Sequence, residues 1–124
     1  MKKDMLNKKV WAVLGVTPNK EKFGYKIYKK LKDHGYEVYP INPKYEDIEG
    51  EKCYKSVENL PATPDVLNFV VSPKISYKAI DEAKKKGIKN LWFQPGTSNN
   101  EVLNKAKENN FNIANNNCVL VELG

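Results

Sequence analysis

The first loop of the chain groups side chains that can contact a phosphate. It follows the continuously apolar segment Val10–Leu14 and contains a hydroxyl, an amide and two cations: Thr17, Asn19, Lys20 and Lys22. An amphipathic helix is predicted to begin near Phe23-Gly24, and backbone N–H groups at a helix N-terminus bind pyrophosphate well. The pattern indicates a phosphate-binding loop, and the alternative is a loop that only turns the chain with its lysines in water.

Lys44 is expected to approach the same ligand from the next strand. Glu37–Ile41 is predicted as that strand, and Asn42-Pro43-Lys44 follows it. Many dinucleotide-binding folds place an acidic residue after their second strand, where it hydrogen-bonds a ribose hydroxyl. A lysine favours an additional ribose phosphate instead, which NADP carries at the 2′ position and coenzyme A (CoA) at the 3′ position. The residues leave both ligands open, beside the alternative of an ordinary surface lysine.

Three other features bear on the ligand. The first loop has glycines only at Gly15 and Gly24, so it does not match G-x-G-x-x-G, and a conventional NAD site loses support. Gln94 after the fourth predicted strand is a candidate amide contact, whereas Pro95 and Gly96 are equally typical of a turn before a helix. Ser72 supplies a hydroxyl suited to covering an adenine or to starting a helix.

These residues require a sheet that brings their loops together. Five apolar segments alternate with helical patterns, which is typical of an α/β protein with a parallel sheet covered by helices. The predicted strands are Val10–Leu14, Glu37–Ile41, Val66–Val71, Lys89–Phe93 and Asn112–Asn115. In such sheets the ligand lies outside the carboxyl ends of the strands. Four loops should therefore meet there: Gly15–Gly24, Asn42–Lys44, Ser72–Lys74 and Gln94–Ser98.

Other segments are less regular. Helices are predicted to end at Gly35 and Gly87, and a capping-box sequence, Ser98–Glu101, should open a third. The long connection Tyr45–Pro64 has the pattern of a short strand around Lys52–Tyr54 and of a helical turn at Val57–Leu60. Cys118–Leu123 alternates weakly and is interpreted as an edge strand or a closing extension.

Composition bounds the class of protein. The length of 124 residues suits one domain, 1–124, and the N-terminus lacks the apolar core of a secretion signal, so a cytoplasmic protein without membrane spans is the expectation. The net charge of +6 comes from lysine alone. This argues against a sequence-specific DNA-binding protein, because such proteins commonly read bases with arginine side chains. Cys53 and Cys118 are far apart with a single histidine, so zinc binding is not expected. Cys118 is predicted to be a buried, inert thiol.

The combined segments resemble the small stand-alone CoA-binding proteins, whose fold is also that of the CoA-binding domain of the succinyl-CoA synthetase alpha subunit. The resemblance covers about Lys9 to Glu122. The segments that carry it are Ala12–Gly15 with Thr17-Pro18, His34–Val38, Pro40–Lys44, Gly50–Tyr54, Ser72-Pro73, Trp92–Gly96 and Asn117-Cys118. Their order and spacing together are more specific than any single piece.

The resemblance implies a Rossmann-like, three-layer open sheet, mostly parallel, with about five main strands and helices on both faces. It implies that Thr17-Pro18-Asn19-Lys20 holds the phosphates of CoA or an acyl-CoA and that Lys44 meets the phosphorylated ribose. Trp92-Phe93-Gln94 with Ser72 would border the nucleotide or the pantetheine arm. The full set of expected ligand-binding residues is Gly15, Thr17, Pro18, Asn19, Lys20, Gly24, Asn42, Pro43, Lys44, Ser72, Trp92, Phe93, Gln94 and Gly96.

Three functions follow as hypotheses. The first is a CoA-binding or acyl-CoA-binding protein without catalytic machinery, because no general base or nucleophile converges on the four loops. The second is an NADP-dependent reductase or a non-catalytic subunit of an acyl-CoA ligase, which leaves a protein partner or a homo-oligomer open. The third and weakest is an electrostatic nucleic-acid binder.

Overall fold

A five-stranded sheet in which every neighbouring pair of strands is parallel forms the centre of the protein. The structure is a computed structural model and describes residues 2–124. Its strands are β1 (Val10–Leu14), β2 (Glu37–Ile41), β3 (Asp47–Ile48), β4 (Glu51–Lys52), β5 (Val66–Phe69), β6 (Asn90–Phe93) and β7 (Asn112–Asn115). The order in the main sheet is β2-β1-β5-β6-β7, and β3 and β4 form a separate antiparallel hairpin.

Helices cover both faces of the sheet. They are α1 (Lys2–Leu6), α2 (Phe23–Asp33), α3 (Pro73–Lys86), α4 (Asn100–Glu108) and α5 (Val119–Glu122). One core lies between the sheet and the helices α3 and α4, and the other lies between the sheet and the helices α1, α2 and α5. The central strands β1, β5 and β6 are therefore buried along nearly their whole length, as expected when both faces of a sheet are covered. This is the α/β, Rossmann-like fold that the sequence predicts.

The helix ends follow their capping residues. Gly87 ends α3 in the left-handed conformation at φ 82°, directly after Lys84, Lys85 and Lys86 in the last turn. Cations there complement the helix dipole. The predicted capping box at Ser98 is wrong by one residue, because the Asn99 side chain accepts the hydrogen bond from the backbone N–H of Val102 (2.9 Å). The Ser98 hydroxyl is instead 2.6 Å from Oδ1 of Asn115.

The segment after Asn117 forms a helix, so its interpretation as an edge strand or an extension is wrong. Its apolar residues at positions 119, 120 and 123 have the i, i+1, i+4 spacing of one helix face. Val119 is fully buried, and Leu120 and Leu123 pack against the same core as α2. Packing on α2 thus selects the helix, although four residues are too few for a helix to be stable by themselves.

The connection between β2 and β5 is close to its prediction. The short strand is β4, paired with β3, and Tyr54 forms a parallel bridge with Ile41. A 3-10 turn spans Val57–Asn59. In residues 2–124 no helix is long and apolar enough to cross a membrane.

Candidate ligand site

The strand order creates a crevice at the carboxyl edge of the sheet. The chain leaves β1 for β2 on one side and then crosses to β5 on the other side of β1. The loops that follow β1 and β5 therefore diverge, and ligands of open parallel sheets bind at such a reversal. All helices that follow a strand begin at this edge, so their positive dipole ends favour an anion there.

Gly15 and Gly24 allow the loop after β1 to fold tightly beside β5. Gly15 has φ +105°, and a Cβ on it would lie 2.3 Å from the carbonyl oxygen of Val70. A Cβ on Gly24 would lie 2.2 Å from the carbonyl oxygen of Gly15. Both distances are below any real contact, so each position excludes a larger residue. These two glycines shape the crevice by close backbone approach, which is also what glycines do in nucleotide-binding loops.

Thr17 and Asn19 use their side chains to fold the first loop. The backbone N–H of Asn19 donates to Oγ1 of Thr17 (3.2 Å), and that of Glu21 donates to Oδ1 of Asn19 (3.0 Å). Pro18, between these two residues, and Lys20, directly after Asn19, are exposed. Lys22, the N-cap residue of α2, provides no side-chain cap. The first turn of α2 thus lacks a protein side chain that would compete with a phosphate.

The loop after β2 is fastened to the loop after β1. Nδ2 of Asn42 donates to the carbonyl oxygen of Val16 (2.9 Å), and Oδ1 of Asn42 accepts from the backbone N–H of Lys44 (2.9 Å). The hydroxyls of Thr17 and Tyr45 are 3.4 Å apart. Pro43 lies exposed in the resulting turn. Asn42 thereby fixes the position of Lys44 relative to the first loop.

Three lysines on these joined loops, Lys20, Lys22 and Lys44, lack carboxylate partners. Each is exposed, and each has no ion pair within residues 2–124. Other lysines of the chain are paired, for example Lys105 with Asp81 at 2.9 Å. Unpaired cations on adjacent loops leave a positive potential in the crevice, which favours a ligand with several phosphates.

The end of β6 and the loop after it contain both buried and exposed residues. Gln94 is 4% exposed, and its Oε1 accepts from Nε1 of Trp92 (3.0 Å) and from the backbone N–H of Val119 (3.1 Å). Trp92 and Phe93 are 0% exposed, so a ligand at this edge does not reach their side chains. Their burial instead indicates a supporting role: Nε1 of Trp92 donates to Gln94, and the ring of Phe93 stacks on that of Phe69 with centroids 4.4 Å apart. Gly96 is an exposed turn residue with φ +84°.

Ser72 is exposed at the start of α3. It occupies the N-cap position, and its hydroxyl makes no cap hydrogen bond. The hydroxyl is free to contact a ligand that crosses from β1 to β5.

A small apolar cavity opens at the same edge and was not expected from the sequence. Its volume is about 130 Å³, and it is lined by Phe23, Ile27, Val70, Gln94, Pro95, Thr97 and Cys118. Cys118 is only half-buried, so the prediction of a buried thiol is wrong. The missed signal is Phe23, a large apolar residue at the first position of α2 that is 65% exposed. A larger cavity of about 660 Å³ lies at the opposite edge, beside residues such as Asp65 and Asn90. Helices end at that edge, where their dipoles disfavour phosphate.

The other cysteine of the chain, Cys53, has a structural role. Cys53 is buried, and burial raises the pKa of its thiol, which keeps it protonated and unreactive. His34 lies at the other end of α2 and contacts the carbonyl oxygen of Lys30, so it does not pair with this thiol. In the described part of the chain, no group of three or more His, Cys, Asp or Glu residues is placed to hold a metal ion.

The family is decided by a match of residues 9–124 to the model of the CoA binding domain. The chain belongs to this family. The CoA-binding domain is 42% identical over 101 residues to an ADP-forming acetate–CoA ligase of Methanocaldococcus jannaschii, which covers 78% of this chain and 14% of that protein. It is 37% identical over 81 residues to the alpha subunit of ADP-forming acetate–CoA ligase II of Pyrococcus furiosus, covering 64% and 18% respectively.

A solved structure of similar size has the same fold. It is a conserved hypothetical protein from Pyrococcus furiosus, which is 40% identical, has a TM-score of 0.88 and matches over 92% of this chain and 98% of its own. The resemblance inferred from the sequence is thereby confirmed for both family and fold. The chain spans less than a fifth of the length of each of the two ligases. The matched part of each ligase is related to this CoA-binding domain.

Proposed function

We propose that the protein binds CoA or an acyl-CoA in the crevice between the loops after β1 and β2, and that it has no catalytic machinery of its own. The observation that carries the proposal is the pair of joined loops with the unpaired cations Lys20, Lys22 and Lys44. Residues 1–124 would act as a single CoA-binding domain. The family supports CoA as the ligand, and the loops supply the charge that three phosphate groups need.

Each part of the crevice suits one part of CoA. The exposed segment Pro18–Lys20 and the uncapped first turn of α2 would hold the pyrophosphate. Lys44 would meet the 3′-phosphate of the ribose, since Asn42 positions it beside the first loop. Ser72 and Gln94 would border the rest of the ligand on the β5 and β6 side.

The test compares ligands that differ by one phosphate. Isothermal titration calorimetry should show tighter binding of CoA than of dephospho-CoA. Lys44→Ala should weaken CoA binding by about 1 kcal/mol, roughly fivefold, and leave dephospho-CoA binding nearly unchanged. Lys107→Ala is the matched control, because Lys107 is an exposed lysine in the last turn of α4, at the opposite edge. Equal losses for the two ligands would remove the proposed role of Lys44.

NADP is the competing ligand, since its 2′-phosphate would also suit Lys44. Gly15 and Gly24 serve close packing and do not distinguish the two ligands. NADP and NADPH belong in the same titration series. Tighter binding of NADP than of CoA, or oxidation of NADPH by the protein, would replace the proposal with a reductase.

A second candidate function is that of a non-catalytic subunit of an acyl-CoA ligase. It is favoured by the two related ligases, one of which is named as an alpha subunit. Affinity purification of the tagged chain from its native cells should then recover a ligase partner in fixed proportion. The isolated chain should show no turnover of acyl-CoA with ADP and phosphate, and turnover would contradict both forms of the proposal. The expected cytoplasmic location stays a prediction that fractionation of the same cells tests.

A further inference from the structure

The apolar cavity beside the first loop has the size of a small organic group. It lies between the first turn of α2, the ends of β5 and β6 and the start of α5, which is the edge proposed for the ligand. Its volume of about 130 Å³ corresponds to a few non-hydrogen atoms, because one water occupies about 30 Å³ in the liquid. Aliphatic and aromatic side chains form most of the wall: Phe23, Ile27, Val70 and Pro95.

Gln94 contributes an unused hydrogen-bond donor to this cavity. Both groups that contact its Oε1, Nε1 of Trp92 and the N–H of Val119, are donors, which fixes the orientation of the amide. Its Nε2 makes no hydrogen bond within residues 2–124, and it is not one of the fully enclosed polar atoms, so it stays accessible although the residue is 96% buried. An accessible donor at the wall of an apolar cavity can fix the orientation of a ligand. A carbonyl oxygen in the cavity would be a suitable acceptor for it.

Asn68 is an unsatisfied amide in the neighbouring strand β5, outside the cavity lining. It is fully buried in β5, and neither its Oδ1 nor its Nδ2 has a partner. Its register partners are Val13 and Trp92, and it lies two residues before Val70, on the same face of the sheet. The unsatisfied Asn68 amide thus lies on the sheet face that also carries the cavity wall at Val70, as expected near a site for a polar atom on an apolar ligand.

We propose that this cavity holds the acyl end of a short-chain acyl-CoA, with Nε2 of Gln94 donating a hydrogen bond to the thioester carbonyl oxygen. The alkyl part contacts Val70, Ile27 and Phe23, and the volume admits acyl chains of about two to four carbons. Carbons beyond about the fourth extend past Phe23 into water and add nothing further. The proposal rests on the proposed function, because the nucleotide part of the ligand occupies the neighbouring crevice.

Calorimetry with CoA, acetyl-CoA, butyryl-CoA and decanoyl-CoA tests the chain-length preference. Acetyl-CoA or butyryl-CoA should bind at least fivefold more tightly than CoA, and decanoyl-CoA should bind no more tightly than butyryl-CoA. Val70→Phe fills the cavity and should abolish the difference in affinity between acetyl-CoA and CoA, which is measured as a ratio within the same variant. Ile75→Phe, at an exposed apolar position of α3 outside the cavity, is the control and should keep this difference. Equal binding of all four ligands would overturn the inference.

A second measurement uses the wild-type protein and does not depend on the folding of a variant. Alkylation of Cys118 by iodoacetamide, followed by peptide mass spectrometry, reports access to the cavity wall. Saturating acetyl-CoA should slow this reaction at least fivefold, whereas adenosine 3′,5′-bisphosphate, which lacks the pantetheine arm, should not. Equal effects of the two ligands would contradict the inference. Failure of every CoA species to bind would instead contradict the proposed function, so the two failures are distinguishable.

Discussion

Gly15 shows how a residue can shape a ligand site through close backbone packing. Gly15→Ala combines an unfavourable left-handed φ with a Cβ that meets the Val70 carbonyl oxygen at 2.3 Å. The backbone term alone is about 1–2 kcal/mol, and overpacking adds roughly 1–3 kcal/mol. We expect the free energy of unfolding, measured in urea, to fall by about 2–5 kcal/mol.

Gly50→Ala is the matched control for that prediction. Gly50 has φ +85°, close to the left-handed value of Gly15, but a Cβ on it would meet nothing within 4 Å. It should therefore lose only the backbone term of about 1–2 kcal/mol. If both variants lost the same stability, the close approach of the first loop to Val70 would not be a determinant of the fold.

The sequence predicts which residues lie at the ligand edge of the sheet when this depends only on their position directly after a strand. Lys44 and Gln94 lie at the expected edge because parallel strands end together. Trp92 and Phe93 differ, because alternate strand residues enter opposite cores and neither side chain reaches the edge. The cavity could not be predicted, since it joins residues from α2, β5, β6 and α5 that are distant in sequence.

The element that the sequence misassigns is α5, and its cause is a tertiary contact. A four-residue helix has no intrinsic stability, and Oε1 of Gln94 accepts the hydrogen bond from its first N–H group. The order of the strands is a similar case. Alternating strands and helices specify a parallel sheet, but not that β5 lies beside β1, so the location of the crevice follows only from the structure.

Removal of the Gln94 amide should therefore loosen α5 specifically. Gln94→Met keeps a similar length but leaves the Val119 N–H and the Trp92 Nε1 without this acceptor. We expect faster hydrogen–deuterium exchange at the amides of residues 119–122 and a loss of about 1–3 kcal/mol in the free energy of unfolding. Val121→Ala changes the same helix at a side chain that is 75% exposed and is the control. Unchanged exchange in Gln94→Met would show that packing alone holds α5.

For the molecule as a whole, the two cores differ in how they respond to pH. The core under α2 contains buried tyrosines, and burial, followed by the charge of Glu49, raises the pKa of Tyr28 to about 12. Burial also raises the pKa of Tyr36, which packs against the same core. The other core, under α3 and α4, has the half-buried Tyr39 and Tyr54 at its margin, and the pKa of Tyr39 is raised mainly by its hydrogen bond to the exposed Glu37. Alkaline pH should therefore act mainly on the α2 side.

Stability should fall as the pH rises from about 10 to about 12. Below the ordinary tyrosine pKa of 10.0, Tyr28 is protonated in both the folded and the unfolded chain, and its contribution is fully present. Between the two values the unfolded chain releases a proton that the folded chain retains, so the free energy of unfolding decreases with pH. The contribution is lost once the pH exceeds the folded pKa of about 12. Urea unfolding at pH 9, 10 and 11 measures this decrease.

Tyr28→Phe should reduce that decrease. Among residues 2–124 the Tyr28 hydroxyl has a single, long hydrogen bond, 3.5 Å from Nζ of Lys32, so the variant should be close to wild-type stability at pH 9. At pH 11 it should have lost less stability than the wild type, because it lacks the group that ionises only on unfolding. Tyr77→Phe, at a 42% exposed position on α3, should follow the wild-type curve. Identical pH curves for Tyr28→Phe and the wild type would mean that other groups cause the alkaline loss of stability.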